Sequence, residues 1–167
     1  MNFSKNKKIK KAYLASRSGF SLVEVLVTLF ILSIGLVVVV SLMTANIKAT
    51  MNARSQIVAS DLAQEGIELV QNMNDNGKSF SNGTYTISHG EDSLGSNNGR
   101  LYLSGSEFFS HDSSGTKTKY LRKIDISDVS TTQETVTVRV SWNNQDFPLN
   151  CNIANKCLEL TSIMVKK

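Results

Sequence analysis

The chain has 167 residues, enough for one globular domain with appendages, and a formal net charge of +4. Six of its eighteen basic residues precede residue 20, so residues 20–167 hold twelve basic and fourteen acidic groups. This balance excludes a strongly basic folded domain, and we expect no direct nucleic-acid binding. The densest later basic cluster is expected at solvated strand and loop positions: Lys117, Lys119, Arg122 and Lys123.

A basic N-terminal segment is followed by an uncharged apolar run. The run from Val25 to Met43 has nineteen residues, and a helix of that length measures roughly 28 Å, close to the hydrocarbon thickness of a bilayer. The basic residues before it favour a cytoplasmic N-terminus, with the rest of the chain across the membrane. The sequence therefore predicts a single membrane-spanning helix.

Three kinds of N-terminal segment can begin with basic residues followed by an apolar run, and the residues at the junction distinguish between them. A cleaved secretory signal has a shorter apolar region followed by a small-x-small site, whereas the run here is longer and its nearest candidate site begins at the large Met43. A plain membrane anchor has no need of an acid in its apolar segment, because the charge is costly there. Glu24 lies in the sequence GFSLVEVLVTLF. It is therefore a candidate functional residue, with an acid merely tolerated near the interface as the alternative.

Residues Ser18 to Val25 resemble the type III signal of the type IV pilin superfamily. The resemblance implies cleavage between Gly19 and Phe20 by a membrane prepilin peptidase, which also methylates the new amino terminus at Phe20. It also implies that Glu24 pairs with such an amine during filament assembly. Gly19 suits a protease cut because its backbone permits close approach, and a charge pair is favoured over either lone charge in a packed core.

Past Met43 the helical pattern continues, but it becomes amphipathic. Apolar residues recur with an eleven-residue repeat that averages about 3.67 residues per turn, which predicts one straight stripe that packs on a domain. An Asn-rich run with Gly77 then predicts the end of the helix. We expect one helix from about Phe20 to about Met73, roughly 80 Å long, with Gly35 as a weak point. The stripe contains Ile47, Met51, Val58, Leu62, Leu69 and Met73.

Beyond residue 78 the pattern indicates strands. The segment from Thr135 to Trp142 alternates strictly and places Val136, Val138, Val140 and Trp142 on one face. Short polar connections predict antiparallel neighbours, and the fold class is α+β: a long N-terminal helix packed on a C-terminal antiparallel sheet, as the pilin resemblance also implies. The other expected strands are Thr84 to Ser88, Tyr120 to Ile126 and Leu158 to Val165.

These elements divide the chain into four predicted regions. Residues 1–19 form the basic leader, 20–45 the membrane and filament-core helix, 46–76 the amphipathic half of the helix, and 77–167 the sheet-containing head.

Two cysteines, Cys151 and Cys157, lie on the predicted exported side, where an oxidising compartment favours a disulfide over two free thiols. We expect no metal site and no cofactor. His89, Glu91, Asp92 and His111 match no ligand motif, and the polar segment from Ser88 to Gly99 is expected to be a solvated loop.

The sequence offers no constellation of catalytic residues, so we expect no enzyme. The mature start, the segment from Leu62 to Glu68 and the strand ending at Trp142 resemble minor pilins of the PilV type. The resemblance implies a subunit at the tip or in the shaft of an extracellular pilus. Its implied partners are other pilins through the N-terminal helix, the prepilin peptidase and the assembly platform of the cytoplasmic membrane. A pseudopilin of a secretion or DNA-uptake machine and an uncleaved membrane-anchored binding head remain alternatives.

Overall fold

The computed structural model describes Gly19 and residues 21–88, 94–95, 98–105, 108–143 and 147–166. The chain forms two compact units, residues 1–46 and residues 47–167. The described residues contain one α-helix, six strands and one short 3-10 helix (Ile153–Asn155). The α-helix and the strands are α1 (Leu22–Asp75), β1 (Gly83–Tyr85), β2 (Arg100–Leu103), β3 (Phe109–Ser110), β4 (Thr116–Asp128), β5 (Gln133–Ser141) and β6 (Cys157–Val165). The predicted α+β class and the single long helix are confirmed, and the helix ends within two residues of the expected position.

The strands form one six-stranded sheet in the order β3-β2-β4-β5-β6, and β1 pairs with β4. Every pairing is antiparallel. A strand is present at each of the four expected places, although the first ends at Tyr85 and not at Ser88. β2 and β3 were not predicted. Both are short and lie among polar residues, so they lack the alternation that identifies β5. β2 pairs with β4 and β3 pairs with β2, and these two strands complete the sheet on the side opposite β6.

The register of the central strands explains where the core lies. Val136, Val138 and Val140 are fully buried and face the same side as Trp142, as the alternation predicts. Ile124 and Ile126 of β4 pair with Val138 and Val136, so the apolar side chains of the two strands meet on one face. This face packs with the second half of α1 in a single hydrophobic core.

The face of α1 that enters this core differs in part from the predicted stripe. Leu62 and Met73 are buried and Val58 and Leu69 are partly buried, but Ile47 and Met51 are 51% and 63% exposed. The prediction was wrong at these last two positions because it counted large apolar side chains alone. Small residues carry much of the actual contact: Ser55, Ala59, Ala63 and Gly66.

Gly66 shows why small residues occupy that face. A Cβ atom at this position would lie 3.0 Å from Cγ1 of Val138 and 3.3 Å from Cδ of Arg122. The helix backbone therefore approaches the sheet too closely for a side chain there.

The helix ends in a double hydrogen-bonded turn at Gly77. The Lys78 amide donates to the carbonyl of Met73 and the Gly77 amide donates to that of Asn74, each at 3.0 Å. Gly77 has a φ of 79°, the left-handed conformation that glycine adopts without strain. The predicted role of Gly77 as a helix stop is confirmed.

Candidate processing and assembly segment

The predicted cleavage junction lies just before α1. Gly19 is exposed and outside regular structure, and an added Cβ atom at Gly19 would meet nothing within 4 Å. Phe20, the predicted new N-terminus and methylation site, lies outside the described residues, as do residues 1–18 of the leader. On the other side of the junction, the Ser21 carbonyl accepts the amide of Val25 and starts the hydrogen-bonded ladder of the helix.

Glu24 lies in the first turn of α1 and is exposed. A carboxylate at this end of a helix is favoured by the partial positive charge of the free backbone amides. In the sequence Glu24 follows the predicted amino terminus by four positions. Its carboxylate is not buried within its own chain.

The apolar part of α1 is exposed along its length within its own unit. From Leu22 to Met43 every large hydrophobic side chain is at least 44% exposed. This helix is long and apolar enough to cross a membrane, with a mean hydropathy of 3.0 over its most apolar 18-residue window. An apolar surface of this extent on a single helix is unfavourable in water and suits either lipid or the apolar faces of other subunits.

Three hydroxyl groups in and next to this part of the helix are hydrogen-bonded within it. Thr28 Oγ1 donates to the carbonyls of Glu24 and Val25, Ser33 Oγ to that of Phe30, and Thr44 Oγ1 to that of Val40. These bonds lower the cost of placing hydroxyls in an apolar medium. These three hydroxyls need no partner from outside the helix, and Glu24 is the one charged residue between Leu22 and Met43.

In the head, one member of the predicted basic cluster does not lie at a solvated position, whereas Lys117 and Lys119 are exposed as expected. Arg122 is fully buried, and its Nη1 lies 3.1 Å from Oε2 of Glu65. Its guanidinium also donates to the carbonyls of Leu62 and Ile87, at 3.1 and 2.7 Å. The expectation for Arg122 was wrong. The alternation of β4 provides the missed signal, because Arg122 occupies the same face as the buried Tyr120 and Ile124.

Two other members of the cluster also have partners in the fold. Lys119 Nζ donates to Oγ of Ser55 at 2.6 Å. Lys123 Nζ lies 5.3 Å from the centre of the Phe147 ring, within cation–π distance. Lys117 is exposed. The four side chains therefore differ in their surroundings, from the exposed Lys117 to the fully buried Arg122.

The predicted disulfide between Cys151 and Cys157 is present. It closes a short loop that contains a 3-10 turn, Ile153–Asn155. The side chain of Asn152 caps this turn by accepting the amide of Asn155, and the Asn152 carbonyl accepts the amide of Cys157. The loop therefore holds the first residue of β6 through one covalent and one hydrogen bond.

The candidate metal residues do not assemble in the described part of the chain. His111 bonds through Nδ1 to the carbonyl of Arg100 at 2.8 Å, while His89, Glu91 and Asp92 lie outside the described residues. Among the residues that are described, no group of three His, Cys, Asp or Glu side chains could hold an ion.

An acid that the sequence reading did not single out is buried near the end of α1. Glu134 is 1% exposed and lines a pocket of about 140 Å³ with Asn74, Phe80 and Lys166. Burial raises the pKa of its carboxyl, the charge of Lys166 opposes that rise, and the charge of Asp128 adds to it. The hydrogen bond from Lys166 lowers the pKa of Asp128.

Comparison with known proteins identifies the N-terminal segment. Residues 14–40 match the family model of the prokaryotic N-terminal methylation motif. This range contains the Gly19–Phe20 junction, Glu24 and most of the apolar run. The match supports a type IV pilin-like prepilin that is processed by a prepilin peptidase and assembles with other pilins. No curated protein and no solved structure matches the chain.

Proposed function

We propose that the protein is a minor pilin of a type IV pilus, of the PilV type. A prepilin peptidase cuts between Gly19 and Phe20 and methylates the Phe20 amine. The subunit then lies in the cytoplasmic membrane with its N-terminus inside, and the assembly platform moves it into the filament or to its tip. The observation that carries the proposal is the methylation motif at residues 14–40, which begins before an exposed junction and an apolar helix with one acid in its first turn.

The physical role of the helix follows from its surface. In the membrane, lipid covers the apolar side chains between Leu22 and Met43. In the filament, the same side chains pack against neighbouring helices, and Glu24 pairs with the methylated Phe20 amine of a subunit. Because both charges then lie in an apolar core, pairing is strongly favoured over leaving either alone. The pairing gives each subunit a defined axial position.

The head does not carry a catalytic role in this proposal. Its buried arginine, Arg122, is committed to structural contacts with Glu65 and two backbone carbonyls. We infer that the head supplies the surface of the subunit, whereas the helix supplies the assembly function.

Intact-mass analysis of the native subunit tests this proposal. We expect a chain that begins at Phe20 with a methylated amine, and a chain that begins at Met1 in cells that lack the peptidase. A chain that begins at Met1 in peptidase-positive cells would contradict the proposal and favour an uncleaved anchored head. Recovery of the cleaved subunit in sheared pili supports a pilin, whereas its absence from pili, together with loss of secretion or DNA uptake on deletion, would indicate a pseudopilin.

A further inference from the structure

The outer edge of β6 carries backbone groups that the fold does not use. The Trp142 amide donates to the carbonyl of Lys156, and the Lys166 amide donates to that of Thr132. Both bonds belong to the register that pairs β5 with β6, so the even-numbered residues of β6 point their amides and carbonyls at β5. The odd-numbered residues point theirs away from the sheet.

Both ends of this outer edge are closed by contacts within the head. At one end the Cys157 amide donates to the carbonyl of Asn152. At the other end the carbonyl of Val165 accepts Nδ2 of Asn74 at 2.9 Å. Between these bonds lie the outward amides and carbonyls of Glu159, Thr161 and Ile163, and these have no partner among the described residues. We call these three residues the open edge.

The opposite side of the sheet does not offer a comparable edge. On that side, Thr84 of β1 and Phe109 of β3 each point their backbone amide and carbonyl outward. Each is an isolated position, because the next outward-facing residue along the chain is already hydrogen-bonded. The next outward position after Thr84 is filled, because Thr86 exchanges two hydrogen bonds with Gly95. After Phe109, the His111 amide donates to Oγ of Ser88. Within the described chain, the open edge is therefore the longest series of free strand-pairing groups.

Of the features that protect edge strands, the open edge has only one charged side chain, Glu159. It has no proline, lysine or bulge, since all nine residues of β6 keep one continuous register with β5. Ile163 and Val165 are 64% and 62% exposed on the outer face of the strand. Glu159 is exposed on that same face.

We propose that the open edge binds an extended segment of a different protein, which adds one strand to the sheet beside β6. The closed ends limit the paired segment to about five residues. The residue opposite Glu159 is basic and the residue opposite Ile163 is apolar, because side chains directly across two strands contact each other. Backbone hydrogen bonds supply the attachment, and these two side chains select the partner.

A second copy of this chain fits the open edge less well. Two copies paired antiparallel about Thr161 would place Glu159 of each copy against Ile163 of the other, a charge against an apolar side chain. Pairing of the open edge with the opposite side of another sheet would meet single outward residues there. Charge and geometry therefore both favour a foreign strand. This inference concerns the head and does not depend on cleavage at Gly19.

Photo-crosslinking of the full chain in its native cells tests the proposal. The photoreactive residue p-benzoylphenylalanine replaces Thr161, and in a matched control it replaces Thr84, an exposed threonine on the opposite edge. We expect a discrete adduct from position 161 and none from position 84. Mass spectrometry of the adduct is expected to show a different protein, attached through an extended segment that contains a basic residue.

A second substitution shows whether backbone pairing holds the partner. Ile163→Pro removes an amide that the fold does not use, so the head is expected to fold and to retain its disulfide. The yield of the adduct is expected to fall about tenfold. This is the effect expected when one hydrogen bond is lost and its acceptor on the partner remains unpaired. Ile163→Val keeps the amide and is expected to preserve the adduct, while Glu159→Lys is expected to weaken it.

Three results would overturn the proposal. The first is an adduct that consists of two copies of this chain. The second is an adduct whose yield is unchanged by Ile163→Pro. The third is the absence of an adduct from position 161 in cells where the chain is folded with its disulfide formed.

Discussion

The guanidinium of Arg122 and the carboxylate of Glu65 form an ion pair that joins β4 to α1, with Arg122 fully buried and the Glu65 side chain 33% exposed. The pair is asymmetric, because Glu65 can still reach water if its partner is removed, whereas Arg122 cannot. A buried charge that loses its partner is far more costly than a partly exposed one.

Glu65→Ala is therefore expected to destabilise the head by about 3 kcal/mol, and Arg122→Met by about 1 to 2 kcal/mol, since methionine fills much of the same space. Thermal unfolding of the full chain in detergent measures both. The double substitution is expected to cost less than the sum of the single ones. Equal costs for the two single substitutions would show that the asymmetry in burial does not matter.

Gly66→Ala tests the close approach of α1 to the sheet. The new methyl group would meet both Cγ atoms of Val138, at 3.0 and 3.3 Å, so rotation of that side chain cannot relieve the contact. We expect a loss of about 1 to 3 kcal/mol despite the better helix propensity of alanine. Gly35→Ala is the matched control, because its methyl group meets nothing within 4 Å, and it is expected to be neutral or stabilising. Similar effects at both positions would contradict the packing argument.

Glu134→Gln is expected to change the dependence of head stability on pH. Because burial raises the pKa of Glu134, the folded state holds more protons than the unfolded state, and the free energy of unfolding falls as pH rises from the ordinary value of 4.5 through the raised pKa. Because glutamine does not titrate, the free energy of unfolding of the variant lacks this decrease. At neutral pH the variant is expected to be more stable than the parent, by on the order of 1 kcal/mol.

Urea unfolding across a pH series measures this effect. The free energies of unfolding of the parent and the variant are expected to converge at pH values below the ordinary pKa of glutamate. In both proteins Asp128 makes the free energy of unfolding rise with pH, because its pKa is lowered in the fold. The stabilisation that results is lost as pH falls. A variant that is less stable than its parent at neutral pH would show that the Glu134 charge is favourable.

Replacement of Cys151 and Cys157 together by alanine is expected to cost about 2 kcal/mol, the value for a loop of this length. The disulfide holds the start of β6, where Cys157 is fully buried. Thermal unfolding with and without reductant provides the measurement. Reductant is expected to lower the melting temperature of the parent and to leave the double variant unchanged, and a parent insensitive to reductant under conditions that cleave the bond would contradict this.

Glu24→Ala is expected to leave cleavage and membrane insertion intact and to reduce entry into pili. Removal of the charge makes insertion equal or easier, whereas in the filament it leaves an amine unpaired, at a cost of about 3 to 5 kcal/mol. Glu24→Gln is the matched control and is expected to rescue only in part. The measurement compares tagged subunit in sheared pili with the cleaved pool in membranes. Entry at the parental ratio would show that the pairing is dispensable.

Patterns with a strict period were readable from the sequence. The alternation in β5 identified the buried face of Val136 and Val138, and the nineteen apolar residues identified the first half of α1. The pattern failed where the packing depends on small or polar residues. The contact of Gly66 does not follow from hydrophobicity, since it depends on what the opposing sheet presents. The residue types of Arg122 and Glu134 argue against burial, and only the alternation of their strands places them on the buried face.

The long separations between contacting residues constrain when the head can become folded during export. Arg122 bonds to the carbonyl of Leu62, sixty positions earlier, and Asn74 bonds to the carbonyl of Val165, ninety-one positions later. Such contacts close slowly, because a long stretch of chain must be ordered first. With the proposed topology, in which the chain crosses the membrane from its N-terminal helix onward, this core cannot be completed until nearly the last residue has emerged. Until then the face of the helix that contains Leu62 lacks the strands that bury it.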